Sequence, residues 1–104
     1  MIVKFIKVFV KPGHLQSYLA AQEIWNRQTH GAAGFLGSFC GRCGDEAEEA
    51  YVLLFWRSRD DLNRWMHTEH DRIAALAAAD EHYECIEVQV FEEALPPDLN
   101  FPEA

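Results

Sequence analysis

The feature that most constrains this chain is Ala50–Trp56, a run of seven apolar residues near its middle. The run is short for a helix, and its valine and aromatic side chains favour a β-strand. A strand that is apolar on both sides has to be covered on both faces of its sheet. The chain must therefore provide, or recruit, a layer on each side of this strand.

The rest of the sequence predicts elements that alternate around this strand. We expect strands over residues 2–10, 35–40, 50–56 and 82–92, and helices over residues 13–29 and 58–79, the second with a break near Thr68. The order β-α-β-β-α-β predicts an α+β, ferredoxin-like fold: a four-stranded antiparallel sheet with two helices on one face. We expect one domain over residues 1–93 and an extended tail over residues 94–104, since Pro96-Pro97 cannot continue a central strand.

Two helices cover one face of a sheet and leave the other open. The first strand is also apolar on both sides, with Val3, Phe5 and Phe9 opposite Ile2, Ile6, Val8 and Val10. An apolar face of this size is typical of an interaction surface. We therefore expect a homodimer that buries sheet against sheet. The alternative is that the tail folds back across the sheet of its own chain.

Charge and composition exclude several classes of partner. The net charge is −8, whereas nucleic acids and anionic membrane surfaces require clustered Lys and Arg. No apolar run is long enough to span a bilayer, and the first ten residues, interrupted by Lys4 and Lys7, do not read as a signal peptide. Three cysteines, an odd number, fit a reducing compartment. These features predict a cytoplasmic protein.

His70 is the first candidate for chemistry. It falls on the apolar stripe of the second helix, with Trp65, Met66 and Ile73. A polar ring in such a stripe must find a partner or face a cavity. A histidine that faces a pocket can act as a general base or orient a carbonyl or phenol. The alternatives are a core histidine bonded to a backbone carbonyl and one that reaches solvent at the edge of the stripe.

Three tryptophans and a methionine are the candidates for ligand contact: Trp25, Trp56, Trp65 and Met66. Aromatic side chains can wall an apolar pocket, although aromatics at helical spacing more often belong to the core. Asn26 and Asn63 stand beside the helical stripes, where surface exposure is the simpler expectation.

Cys40-Gly41-Arg42-Cys43 has the C-x-x-C spacing of redox and metal sites, and Arg42 would favour a thiolate. Redox motifs of this kind normally open a helix, whereas this one leaves a strand. His67 and His70 are three residues apart, but His67 points away from the inner stripe. We therefore expect ordinary thiols and no metal site.

The stretch Phe55–Met66 joins an aromatic strand end to a helix with an inward Trp65, and Gly34-Phe35 follows the first helix. Over residues 1–92 the chain resembles the dimeric α/β-barrel superfamily, which includes antibiotic-biosynthesis and heme-degrading monooxygenases. Trp25 and the segment Met66–Ile73 are most similar to a poorly characterised group of small bacterial proteins within it. The resemblance implies the fold, a dimer and a pocket between sheet and helices.

The same resemblance bears on cofactors. Heme-degrading members carry an Asn on the first strand and a heme-ligating His in the second helix region, whereas this chain has Ile6 and Ala75 there. No cofactor is therefore expected. The sequence predicts a protein that binds a small apolar or aromatic molecule, in the manner of a cofactor-independent monooxygenase or isomerase. The alternatives are a non-catalytic ligand-binding or structural dimer and a thiol redox protein that uses Cys40 and Cys43.

Overall fold

The computed structural model describes residues 1–42, 48–96 and 98. Its elements are β1 (Ile2–Val10), α1 (Leu15–Thr29), β2 (Phe35–Arg42), β3 (Glu49–Trp56), α2 (Arg59–Thr68), α3 (His70–Ala77), a 3₁₀ turn (Ala79–His82) and β4 (Tyr83–Phe91). The strands form one antiparallel sheet in the order β2-β3-β1-β4. The ferredoxin-like prediction is confirmed. No helix in the described part of the chain is long and apolar enough to cross a membrane.

The strand boundaries differ from the sequence expectation by at most two residues, and the helices differ from it in two places. Helix α1 begins at Leu15 because residues 11–14 form a turn, in which the His14 amide donates to the carbonyl of Lys11. The second predicted helix is two helices, separated at Glu69, and α3 ends where Ala78 adopts a left-handed conformation at φ 50°. The expected break near Thr68 is thus one residue away. It makes His70 the first residue of a new helix.

The core lies between the helices and the inner face of the sheet. Its completely buried large side chains are Val8 on β1, Val52 and Trp56 on β3, and Ile73 on α3. Alternation along β3 sends Val52, Leu54 and Trp56 to this face. Residues 50–56 therefore supply a large share of the side chains that fill the core.

The outer face of the sheet carries the other half of the apolar residues. Phe5 lies opposite Leu53, and Leu53 lies opposite Phe39 on β2, whose side chain is 57% exposed. The described part of the tail does not cover this face, because Leu95 is 86% exposed. Residue 97 and residues 99–104 of the predicted tail, and Cys43 with the rest of residues 43–47, lie outside the described residues.

A buried carboxylate fixes the start of α2. Asp61 accepts a hydrogen bond from the Ser58 hydroxyl (2.8 Å), and the same hydroxyl caps the helix by accepting from the Asp61 amide. Arg57 and Arg64 pair with the two carboxylate oxygens. The Ser58 hydroxyl, helped by both arginines, holds the pKa of Asp61 below its ordinary value. This stabilisation is present above the ordinary carboxyl pKa and is lost as the pH falls through the lowered value.

Gly34 makes room for this carboxylate. Its φ is +78°, and a Cβ added there would overlap the Asp61 side chain. The Gly34 carbonyl accepts from the Arg57 amide at 2.8 Å, which holds the loop after α1 against the start of α2. A glycine is thus required at this position, because its φ is positive and because the Asp61 side chain leaves no room for a Cβ.

We predict that Gly34→Ala lowers the free energy of unfolding by at least about 3 kcal/mol, since strain and overlap with Asp61 add. Gly31→Ala is the matched control, because Gly31 has a φ of +84° and no atom within 4 Å of an added Cβ. The control should lose about 1 kcal/mol from strain alone. Urea unfolding measures both, and equal losses would show that the contact with Asp61 has no role.

Candidate ligand-binding cleft

A cleft of about 460 Å³ opens between α1, α3 and the inner face of β1 and β4. It exists because the helices pack over the central strands and leave β4 at the edge of the sheet. The β4 side chains Ile86 and Val88 face the helix layer but stay 40% and 46% exposed. Exposed apolar residues inside a concave site are typical of a surface that a small ligand covers.

Aromatic rings form one end of this cleft. Trp25 of α1 and Trp65 of α2 lie 6.0 Å apart between ring centroids, and both line the cleft. The His70 ring lies 5.2 Å from Trp25 and 5.6 Å from Trp65, edge-on to the latter. Trp56 supports this group from below, with its ring 5.4 Å from Trp65 and no exposed surface. The three rings at the cleft are therefore held against the core.

His70 owes its position to the helix break at Glu69. Its ring lines the cleft, and its Nδ1 lies 3.1 Å from the Asp71 carboxylate. When Nδ1 donates to Asp71, Nε2 is left as a proton acceptor. Arg72 ties this region to α1 through Gln28 and to the break through Glu69. The imidazole thus packs against two indole rings, and its Nδ1 faces the solvent-exposed carboxylate of Asp71.

A row of polar side chains on α1 forms a second wall. The Tyr18 hydroxyl donates to Gln22 (3.0 Å), and the Gln22 amide donates to Asn26 (3.1 Å). All three side chains line the cleft. Burial, with smaller effects from Cys40 and Tyr83, raises the pKa of Tyr18, so its hydroxyl remains a donor. The row ends at Asn26, whose amide can reach a ligand.

Lys4 supplies the positive charge of the cleft. It lies on the inner face of β1, with Leu54 and Val90 as its strand neighbours. Its Nζ lies 3.5 Å from the Met66 Sδ, a weak acceptor, and no oxygen partner is found among the described residues. Burial lowers the pKa of Lys4. It is the one Lys or Arg among the described residues that line the cleft.

The structure brings three of the five sequence candidates together: Trp25, Trp65 and His70 line the cleft. Met66 lies beside it in contact with Lys4, and Trp56 lies beneath it, so these two support the wall rather than form it. Asn26, expected at the surface, lines the cleft, whereas Asn63 is exposed. Lys4 was missed, although strict alternation from Ile2 to Ile6 places it on the inner face.

Of the two thiol candidates, Cys40 does not line this cleft, and Cys43 lies outside the described residues. Cys40 faces the helix layer opposite Val52, and burial raises the pKa of its thiol. A raised pKa disfavours the thiolate that redox or metal chemistry requires. No group of three His, Cys, Asp or Glu side chains in the described ranges could hold a metal ion.

The fold defines a class of protein. "Putative antibiotic biosynthesis monooxygenase from Nitrosomonas europaea" is 16% identical, with a TM-score of 0.75 over 91% of this chain and 100% of that one. The heme-degrader MhuD from Mycobacterium tuberculosis, solved with two hemes bound in its active site, is 20% identical, with a TM-score of 0.76 over 93% and 99%. The chain therefore has the fold of the antibiotic-biosynthesis-monooxygenase-like proteins.

Within that class, a family model matches residues 2–91, and the chain belongs to the family described as "Domain of unknown function (DUF4937)". No curated protein sequence matches the chain significantly. The superfamily expected from Phe55–Met66 is confirmed at the level of the fold.

The residues of this cleft do not fit a heme in the way the resemblance would require. Ala75 lines the cleft where a ligating His is expected, and a methyl group cannot coordinate iron. The imidazole that is present, His70, is packed between Trp25 and Trp65.

We predict that Lys4→Met raises the melting temperature at pH 7 by about 4 °C, or roughly 1 kcal/mol, because it removes a half-buried charge that has no oxygen partner. The sign follows from the lowered pKa of Lys4: the cost of burial is fully present below the lowered value, falls as the pH rises above it, and is gone only above the ordinary pKa of a lysine. Calorimetry at pH 7 checks this. A lower melting temperature would mean that Lys4 has a stabilising partner.

Proposed function

We propose that this protein binds a small aromatic molecule in the cleft and oxidises it as a cofactor-independent monooxygenase, with His70 as the base. One observation carries the proposal: an oriented imidazole lies on the wall of an aromatic cleft, within 6 Å of two indole rings. Indole faces stack on planar rings, and a nearby imidazole can remove a proton from a phenol. The monooxygenase names of the similar structures agree with this assignment.

The chemistry requires oxygen and a phenol with a free ring position. His70 Nε2 accepts the phenol proton, and the phenolate gives electrons to O₂ at the ring carbon opposite the hydroxyl. One oxygen atom ends in the new carbonyl and the other in water, so 1-naphthol and O₂ give 1,4-naphthoquinone and H₂O. The substrate supplies all four electrons, and no other reductant is required. In the tautomer whose Nδ1–H donates to Asp71, Nε2 is free to accept this proton.

An isomerase would use the same base without oxygen. His70 would then move a proton between two carbon atoms of a bound ligand, and Asn26 would donate to its carbonyl oxygen. The polar row on α1 favours this second candidate, since it delivers an amide donor to the cleft. Oxygen consumption separates the two reactions.

We predict that His70→Gln lowers oxygen consumption with a panel of naphthols at least about 100-fold, as loss of a general base does. Binding of the same naphthols, followed by quenching of tryptophan fluorescence, should change less than threefold. His67→Gln is the matched control, because His67 is exposed on the preceding helix. An oxygen electrode provides the rate.

Two outcomes would contradict the proposal in different ways. Equal rates for His70→Gln and the wild-type chain would remove His70 as the base. Binding of naphthols without consumption of oxygen, together with exchange of ligand protons with solvent, would favour the isomerase.

We also propose that the outer face of the sheet forms a homodimer. Phe39 and Phe91 are exposed there, beside the half-buried Phe5, Leu53 and Phe55, and the described tail leaves them uncovered. Lys7, which also faces outward, is neutralised by Glu49 at 3.8 Å and lies over the ring of Phe9. This pairing makes Lys7 less costly to bury than an isolated ammonium would be.

We predict that Phe39→Glu weakens the dimer at least tenfold, because it places a charge in the buried sheet face. Leu76→Glu on α3 is the control, since Leu76 is 55% exposed and belongs to the helix layer. Sedimentation velocity at micromolar concentration measures both. A wild-type monomer under these conditions would contradict the dimer.

A further inference from the structure

Strand β1 carries one lysine on each face of the sheet, and the two differ in their partners. Lys7, on the outer face, pairs with Glu49 and lies near the rings of Phe9 and Tyr51. The Nζ of Lys4, on the inner face, lies 3.5 Å from the Met66 Sδ and forms no ion pair with a carboxylate of the described residues. A half-buried ammonium without a counter-charge is costly for a fold, and such a group commonly serves a ligand.

We propose that Lys4 binds an anionic oxygen on the aromatic ligand, so that the substrates are aromatic acids or phenols bound as carboxylate or phenolate. The proposal rests on the proposed function, because it requires that the cleft binds an aromatic molecule. It adds the chemical class of that molecule and a binding residue outside the base and the aromatic wall.

The charge around the cleft supports an anion at this position. The chain carries a net charge of −8, which repels anions in general. Lys4 is the one Lys or Arg that lines the described cleft, so a local attraction at this point decides where an anion can bind. Asp80 also lines the cleft but does not form an ion pair with Lys4. Burial strengthens the attraction, since fewer water molecules screen the ammonium.

The position of Lys4 also fits the proposed chemistry. Its amine contacts Met66, which directly follows Trp65 and precedes His70 by four residues. The ammonium therefore reaches α2 at the residue next to Trp65, which lines the cleft. A phenol that gives its proton to His70 becomes a phenolate, and an ammonium in contact with its oxygen stabilises that charge.

Matched probes test the inference. Isothermal titration calorimetry compares 2-naphthoate with the neutral 2-naphthamide, and the absorbance of 4-nitrophenolate reports a bound phenolate. The variants are Lys4→Met and, as a control, Lys11→Met, since the Lys11 Nζ donates to the Glu81 carbonyl outside the cleft. The full chain is used, and a melting curve of each variant confirms that it is folded.

The wild-type chain should bind 2-naphthoate at least tenfold tighter than 2-naphthamide. Lys4→Met should abolish that preference and leave 2-naphthamide within twofold, and Lys11→Met should change neither. Loss of the nitrophenolate signal in Lys4→Met would identify phenols as ligands of the same site, and loss of 2-naphthoate alone would identify carboxylates.

The failures are distinguishable. An unchanged preference for 2-naphthoate in Lys4→Met would overturn the role of Lys4 and leave the aromatic cleft standing. Binding of neither naphthalene probe to the wild-type chain would overturn the cleft as an aromatic site, and the inference with it.

Discussion

The contact between Trp56 and Trp65 is the interaction on which the site depends. Trp56 ends β3 and is completely buried, and Trp65 packs on it from α2 with 5.4 Å between ring centroids. Trp65 in turn fixes Trp25 and His70 by ring contacts. Neither indole N–H has a partner among the described residues, so this packing stabilises the fold through apolar area at the expense of two hydrogen bonds.

That contact forms because α2 starts at a fixed point. Ser58 and the buried Asp61 define its first turn, and Gly34 lets the preceding loop approach the Asp61 side chain. Trp65 lies one helical turn after Asp61, and this spacing places its ring against Trp56. The polar network at the start of the helix and the aromatic packing one turn later thus set the same helix position, and the first cannot move without displacing the second.

The sequence predicts the fold well because strong periodic signals carry it. Alternation along β1 and β3 and the stripe on the second helix region give the sheet and its covered face, and the aromatic strand end beside Trp65 indicates the superfamily. The cleft is harder to predict. It depends on β4 lying at the edge of the sheet, beyond the helices, and on a break at Glu69 that turns His70 toward Trp25, and neither is a property of a single periodic segment. Lys4 was not among the sequence candidates, because a single lysine in an apolar strand is usually at its exposed side. The alternation of β1 nevertheless places Lys4 on the same face as Ile2 and Ile6.

The two faces of the sheet differ in whether their lysine has a counter-charge. On the outer face Lys7 is neutralised by Glu49 within the chain, as suits a surface buried against an apolar partner. On the inner face Lys4 is left without such a partner in the described structure, at a cost in stability. The same strand therefore presents a paired lysine on one face and a lysine without a described counter-charge on the other, and the proposed dimer and the proposed anionic ligand each follow from one of them.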